Sequence, residues 1–137
     1  MVERIVNQQE KAYRLPPLTL AYVGDAVWEL AVRHYLVENG ETQPRRLHRL
    51  AVERVRAKSQ ADRLRQIREE LSDQEREVVR RGRNAKSNSI PRSASVADYR
   101  ASTGIEALLG YLYLADQKER LNEILQLLLQ VEETDKQ

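Results

Sequence analysis

Apolar positions recur at spacings of three and four along most of this chain, and no long stretch alternates apolar with polar residues. That period belongs to helices that bury one face, so the pattern predicts an all-α chain. After a short N-terminal segment (residues 1–14), a long helix is expected from about Pro17 to Val37, ended by "ENG" at Gly40. A second runs from Pro44 to about Ala57, with Leu47, Leu50, Ala51 and Val55 on one face. A third takes Gln60 to about Glu70. "SDQE", Ser72 to Glu75, is a capping box, which starts a fourth helix that reaches about Arg81. "GRNAKSNSIPRSAS", Gly82 to Ser95, is the one obvious loop. Helices from about Val96 to Ala115 and from Lys118 to Val131 follow, and residues 132–137 read as a frayed tail. With no repeat and no linker, residues 1–137 are expected to form a single domain.

Two of these helices break the usual rule for buried segments. From Leu15 to Val32 nearly every position is apolar, yet Asp25 and Glu29 stand in the middle. At about 100° per residue the two acids lie about 40° apart, on a stripe with Leu18, Tyr22 and Val32. "ASTGIEALLGYLYLA", Ala101 to Ala115, holds a single formal charge, Glu106, among Ile105, Leu108, Leu109, Leu112 and Leu114. A helix apolar nearly all round is expected at the centre of a fold, where an unpaired carboxylate is costly. Gly24, Gly104 and Gly110 would let such helices approach closely and pool their acids. Three uses fit that arrangement: a buried salt bridge to Arg33 or Arg100, general acid/base work by a carboxylate pair, or a site for Mg²⁺ or Mn²⁺.

Charge distribution bears on the choice. The formal net charge is +2, but Pro44 to Arg100 holds sixteen Lys or Arg against eight Asp or Glu, leaving −6 for the rest of the chain. Such asymmetry suits a polyanionic partner, for which nucleic acid is the obvious candidate. A carboxylate-held cation beside a phosphate backbone would make a hydrolytic nuclease. The chain has no cysteine, which excludes disulfides, thiolate zinc sites and Cys nucleophiles and suits a reducing cytoplasm. Only His34 and His48 are present, so histidine-rich metal sites are improbable. The N-terminus lacks the apolar core of a signal peptide, and the longest apolar run, with its prolines and acids, is a poor membrane span.

Two stretches resemble a known family. "LAYVGDAVWEL" resembles the signature helix of ribonuclease III, and "GIEALLGYLYL" resembles that family's second catalytic helix, in the right order and about eighty residues on. "AKSQA" and "RRGRNAKSNSIPRSASVADYRASTGIEALLGYLYL" resemble the Mini-III ribonucleases, the short subclass without a C-terminal double-stranded-RNA-binding domain. The likeness runs from Leu18 to about Leu129. It implies an all-helical homodimer with two active sites in one valley, hydrolysing double-stranded RNA with Mg²⁺, or Mn²⁺ in its place, to leave 5′-phosphates. For the subclass it implies maturation of precursor 23S ribosomal RNA in the cytoplasm, with ribosomal proteins as candidate further partners. Asp25 matches the signature aspartate and Glu106 the glutamate of the second helix, and both are expected to be catalytic and to hold metal. Where the family pattern has two further acids, this chain has Ala21 and Thr103.

Glu29 is expected to pair with Arg33 four residues on rather than to join the site. Arg81, Arg83, Asn84, Lys86 and Ser87, around the loop, and Lys58 in "AKSQA" are the expected RNA contacts, reading phosphates and 2′-hydroxyls of the A-form duplex. His48 reads as a bystander. Trp28 and Tyr22 are expected to fill core or dimer interface, and Tyr111 and Tyr113 to pack between helices. The chief rival reading is a non-catalytic module of the same fold that binds structured RNA. A helical protein–protein adaptor is the more distant one.

Overall fold

The computed structural model describes the backbone of residues 2–85 and 95–135, and among these the regular elements are all helical. α1 spans Val2–Arg14, α2 Pro17–Glu38, α3 Pro44–Val55, α4 Ala57–Ile67, α5 Asp73–Asn84, α6 Val96–Leu114 and α7 Lys118–Asp135. A 3₁₀ turn at Arg68–Glu70 joins α4 to α5. The all-α class stands, while several boundaries move. The N-terminal segment is itself a helix, α4 starts at Ala57 rather than Gln60, α5 reaches Asn84, and α7 continues through the expected tail to Asp135. Among the described residues no helix is long and apolar enough to cross a membrane.

Local chemistry sets the ends. Pro17 and Pro44 occupy first-turn positions, where the missing N–H costs nothing. The capping box forms as its sequence predicts: Glu75 N–H donates to Ser72 Oγ at 3.2 Å and Ser72 N–H to Glu75 Oε1 at 2.9 Å. Ser95 caps α6 by accepting from Asp98 N–H at 3.1 Å. Gly40 follows α2 at φ 92°, the left-handed turn that lets the chain leave a helix without a Cβ clash.

α6 is the central helix, buried on nearly every side, and it packs against α1, α2, α4, α5 and α7. Around it the core takes Leu20, Trp28 and Val32 from α2, Leu64 and Ile67 from α4, Val78 and Val79 from α5, and Ile124 and Leu128 from α7. The outer helices need only one apolar face, and except for α2 their sequences are amphipathic where that of α6 is not.

α2 corrects an expectation. Although apolar nearly all round, it buries a single face made by Leu20, Ala21, Gly24, Trp28, Val32 and Leu36. Tyr22 is 81% exposed and Leu30 71%, and Leu18 and Val37 are exposed as well. The far side of α2 is therefore an apolar strip turned to solvent, not a second core surface.

The contact between α2 and α6 is made by backbone. A Cβ added at Gly24 would overlap the carbonyl oxygen of Glu106, and one added at Gly110 would overlap that of Leu20. Two glycines facing across the crossing bring the helices closer than any side chain allows. The buried Glu75 of the capping box also ties distant segments together, since Arg120 donates to both of its oxygens at 2.8 Å and to the carbonyl of Glu70 at 2.8 Å. Burial alone would raise the Glu75 pKa, but Arg120 and Ser72 outweigh it and hold the carboxyl below its ordinary value.

Replacing either glycine by alanine forces the helices apart. Gly24→Ala or Gly110→Ala should lower the free energy of unfolding in urea by about 3 kcal/mol or more, the upper range for overpacking a core. A loss under about 1 kcal/mol would show that α2 and α6 can separate at little cost.

Candidate active site

The glycine crossing places Asp25, the neighbour of Gly24, against Glu106, whose own carbonyl Gly24 abuts. The Asp25 carboxyl stands near enough to that of Glu106 to act on it through hydrogen bonding and charge. Asp25 is exposed and Glu106 half-buried, so the pair sits at the mouth of the helix contact rather than inside it. The Glu106 pKa is pushed up to about 9. Burial is the largest cause, followed by the hydrogen bond and the charge of Asp25; the charge of Glu29 adds to it, and the Ser102 hydroxyl pulls the other way.

This geometry removes one of the uses the sequence leaves open. A guanidinium beside Glu106 would have drawn its carboxyl down, not up. Arg33 and Arg100 are both exposed, and among the described residues no ion pair joins either to Asp25, Glu29 or Glu106. The salt-bridge option fails, and with it the expected pairing of Glu29 with Arg33. What remains is a pair of acids crowded together, with a third negative charge close by. The donors are hard oxygens that repel one another when ionised, which is a set suited to a hard divalent cation.

The two positions where the family pattern carries further acids supply no such oxygen. Ala21 is buried in the core. Thr103 is buried too, and its hydroxyl donates to the carbonyl of Tyr99 at 3.0 Å, the ordinary back-bond of a helical threonine. Two polar residues that the sequence did not single out link the Glu106 turn of α6 to α4 instead. Ser102 Oγ donates to Gln60 Oε1 at 2.7 Å and stands 3.5 Å from Glu106 Oε1, while Gln60 Nε2 donates to the carbonyl of Val55 at 3.1 Å. Both are buried, Gln60 to 2% exposure. Next to Gln60 on α4, the buried guanidinium of Arg63 lies 5.2 Å from the centre of the Trp28 ring.

The expected RNA contacts divide. Lys58 is exposed at the start of α4, and its neighbour Ser59 ties the α3–α4 corner by donating to the carbonyl of Glu53 at 3.0 Å. Arg83 and Asn84 are exposed at the end of α5, with Arg83 Cγ lying over Gly104 of α6. Arg81 is turned inward. It donates to the carbonyls of Tyr13 at 2.7 Å and Leu15 at 3.1 Å, with its guanidinium 5.2 Å from the Tyr13 ring centre, so it fastens α1 to α5. Lys86 and Ser87 lie outside the described residues. His48 is exposed on α3. Trp28 fills core and Tyr111 is buried as expected, while Tyr113 is 58% exposed and lines a groove with residues of α2 and α7.

The raised Glu106 pKa has a consequence for stability. Between its ordinary value of 4.5 and about 9 the folded chain holds a proton that the unfolded chain has lost. Unfolding free energy therefore falls as pH rises across that window. Glu106→Gln removes the penalty, so in EDTA at pH 8 the variant should be more stable than its parent by on the order of 1–3 kcal/mol. The gap should close near pH 4. Denaturant titrations at the two pH values check this, and equal stability at pH 8 would show that Glu106 carries no such burden.

Comparison with known proteins agrees with this architecture. Residues 18–117 match the ribonuclease III domain family. The chain is 56% identical to the Mini-ribonuclease 3 of Symbiobacterium thermophilum over 112 residues, covering 82% of this chain and 86% of that protein. It is 47% identical to the Mini-ribonuclease 3 of a Thermoanaerobacter species over 123 residues, 90% of this chain and 87% of that one. A crystal structure of a Fusobacterium nucleatum protein superposes with a TM-score of 0.76 at 31% identity, covering 87% of this chain and 95% of that one. A family match over most of the chain, relatives at this identity and a shared helical fold lead to one conclusion: the chain belongs to the ribonuclease III family, among its Mini-ribonuclease 3 members.

Proposed function

We propose that this chain is an endoribonuclease that hydrolyses double-stranded RNA, leaving 5′-phosphates, with Mg²⁺ or Mn²⁺ held by Asp25 and Glu106. The observation that carries this reading is the meeting of those two carboxyls across the glycine crossing. A hard dication relieves their mutual repulsion with the oxygen ligands it prefers. Among the described residues no group of three or more His, Cys, Asp or Glu side chains could hold a metal ion. In this reading the protein would contribute two carboxylates, with water and substrate phosphate completing the shell of the ion. When bound, the ion supplies an acidified water and neutralises charge at phosphorus.

The chain's own residues bind and orient. Lys58 on α4 and Arg83 on α5 are exposed beside α6, the helix that carries Glu106, and there they meet phosphates of a duplex. A-form RNA offers a wide, shallow minor groove lined with 2′-hydroxyls, which such a surface reads by shape more than by base. The exposed strip of α2, with Leu18, Tyr22 and Leu30 beside Asp25, is the surface through which we infer a homodimer, because solvent-exposed apolar strips mark interfaces. Pairing along it would set two Asp25–Glu106 sites near each other. Precursor 23S ribosomal RNA, in the cytoplasm and with ribosomal proteins as further partners, is the substrate that resemblance to the Mini-III subclass implies.

Incubation with a perfect RNA duplex tests the chemistry. Cleavage is expected with Mg²⁺ and none with EDTA, and Asp25→Asn should slow it about a hundredfold or more. Tight, salt-sensitive binding without cleavage, unchanged in Asp25→Asn, would instead indicate a non-catalytic RNA-binding module. Sedimentation tests the interface: the parent should run as a dimer and Tyr22→Arg as a folded monomer, and a dimer that survives the substitution would move the interface elsewhere.

A further inference from the structure

α6 carries two buried hydroxyls in succession, and they behave differently. Thr103 returns its proton to the carbonyl one turn back, which needs no partner outside the helix. Ser102 does not. Its proton goes across to α4, to an amide that is buried to 2% exposure on a face shared with Ala61, Arg63, Leu64 and Ile67. Burying a primary amide there costs free energy that an apolar residue of the same shape would avoid.

The direction of this chain of hydrogen bonds is fixed. A carbonyl can only accept, so Gln60 must point its Nε2 at Val55 and its Oε1 at Ser102. Ser102 has one proton and two candidate acceptors. At 2.7 Å against 3.5 Å, Gln60 holds most of it and Glu106 Oε1 receives the weaker share. The Ser102 oxygen is thereby pinned one turn from Glu106, on the side that reaches α4. Gln60 is pinned in turn by the end of α3, at the same corner that Ser59 ties to Glu53 and from which Lys58 projects.

We propose that Ser102 and Gln60 are positioning residues for Glu106: the anchored amide fixes the serine hydroxyl, and the hydroxyl fixes the carboxyl group in the orientation that meets Asp25. The assignment rests on the reading of Asp25 and Glu106 as the cation site. Neither residue touches the cation or the RNA. Together they make the α3–α4 corner and the catalytic acid one connected unit, so that α4 supports the site besides filling the core.

The test uses the full chain, with Mn²⁺ alone as the probe in calorimetry and a perfect RNA duplex as substrate in kinetics. Ser102→Ala and Gln60→Met should each weaken Mn²⁺ binding about tenfold and lower kcat about tenfold, with KM for RNA changed less than about twofold, as loss of an outer partner does. Because the two act in series, the double variant should lose little more than either single one. Ser102→Thr keeps the hydroxyl and should recover most of the loss. Should Ser102→Ala fail to fold, Gln60→Met measured beside Ser102→Thr carries the comparison. Variants that bind Mn²⁺ and turn over like a competent parent overturn this assignment alone, as do losses confined to KM or losses that add in the double variant. A parent that neither binds Mn²⁺ nor cleaves overturns the cation reading, and this assignment with it.

Discussion

The backbone contact between α2 and α6 is the constraint from which the rest of the structure follows. Gly24 lies against the Glu106 carbonyl and Gly110 against that of Leu20, so two helices meet where no Cβ intervenes. Only at that spacing do the carboxyl groups of Asp25 and Glu106 reach one another from adjoining helices. Small residues in a core are usually explained by packing alone. Here the close approach also sets the separation of the two acids, so the packing and the site are the same feature.

The site is held at a cost to stability that the surrounding fold offsets. α6 is buried by five other helices, and its apolar residues give it no freedom to turn Glu106 outward. The acid is held where burial, Asp25 and Glu29 all disfavour its charged form. Such a group is stable only where the neighbouring packing overrules it, and perturbed carboxyls of this kind gather at functional sites. The contrast with Glu75 is instructive. That acid is also buried, but Arg120 and the Ser72 cap compensate it fully, its pKa moves the other way, and its work is structural.

The basic middle of the chain serves two purposes that its composition does not separate. Arg81 fastens α5 to α1, and Arg63 is stacked on Trp28 inside the core. Arg65 and Arg80 pair with nearby carboxylates, Asp62 and Glu77. Long side chains with planar, multiply donating heads suit such structural ties. Lys58 and Arg83, by contrast, are exposed, on helices that pack against the one that holds Glu106. The set of cations left at the surface is therefore smaller than the count of arginines suggests.

Local signals in the sequence specify the all-α class, the order of the six helices from α2 to α7, the Ser72–Glu75 cap and the two acids stranded in apolar helices. Each of these is a local signal: period, capping chemistry, or a charge stranded among apolar neighbours. α1 is the exception: its apolar residues are few but recur at helical spacing, and the packing of Ala12 and Tyr13 on the core holds it in place. α2 read as central because an apolar wheel does not distinguish a core face from a strip turned to solvent. Gln60, Ser102 and Arg81 were illegible in their roles for one reason. A polar side chain's purpose depends on what stands opposite it, across 42 residues for Ser102 and Gln60 and 68 for Arg81 and Tyr13. Only the tertiary structure supplies that partner, since burial makes an unmet hydrogen bond costly and so selects one arrangement among many.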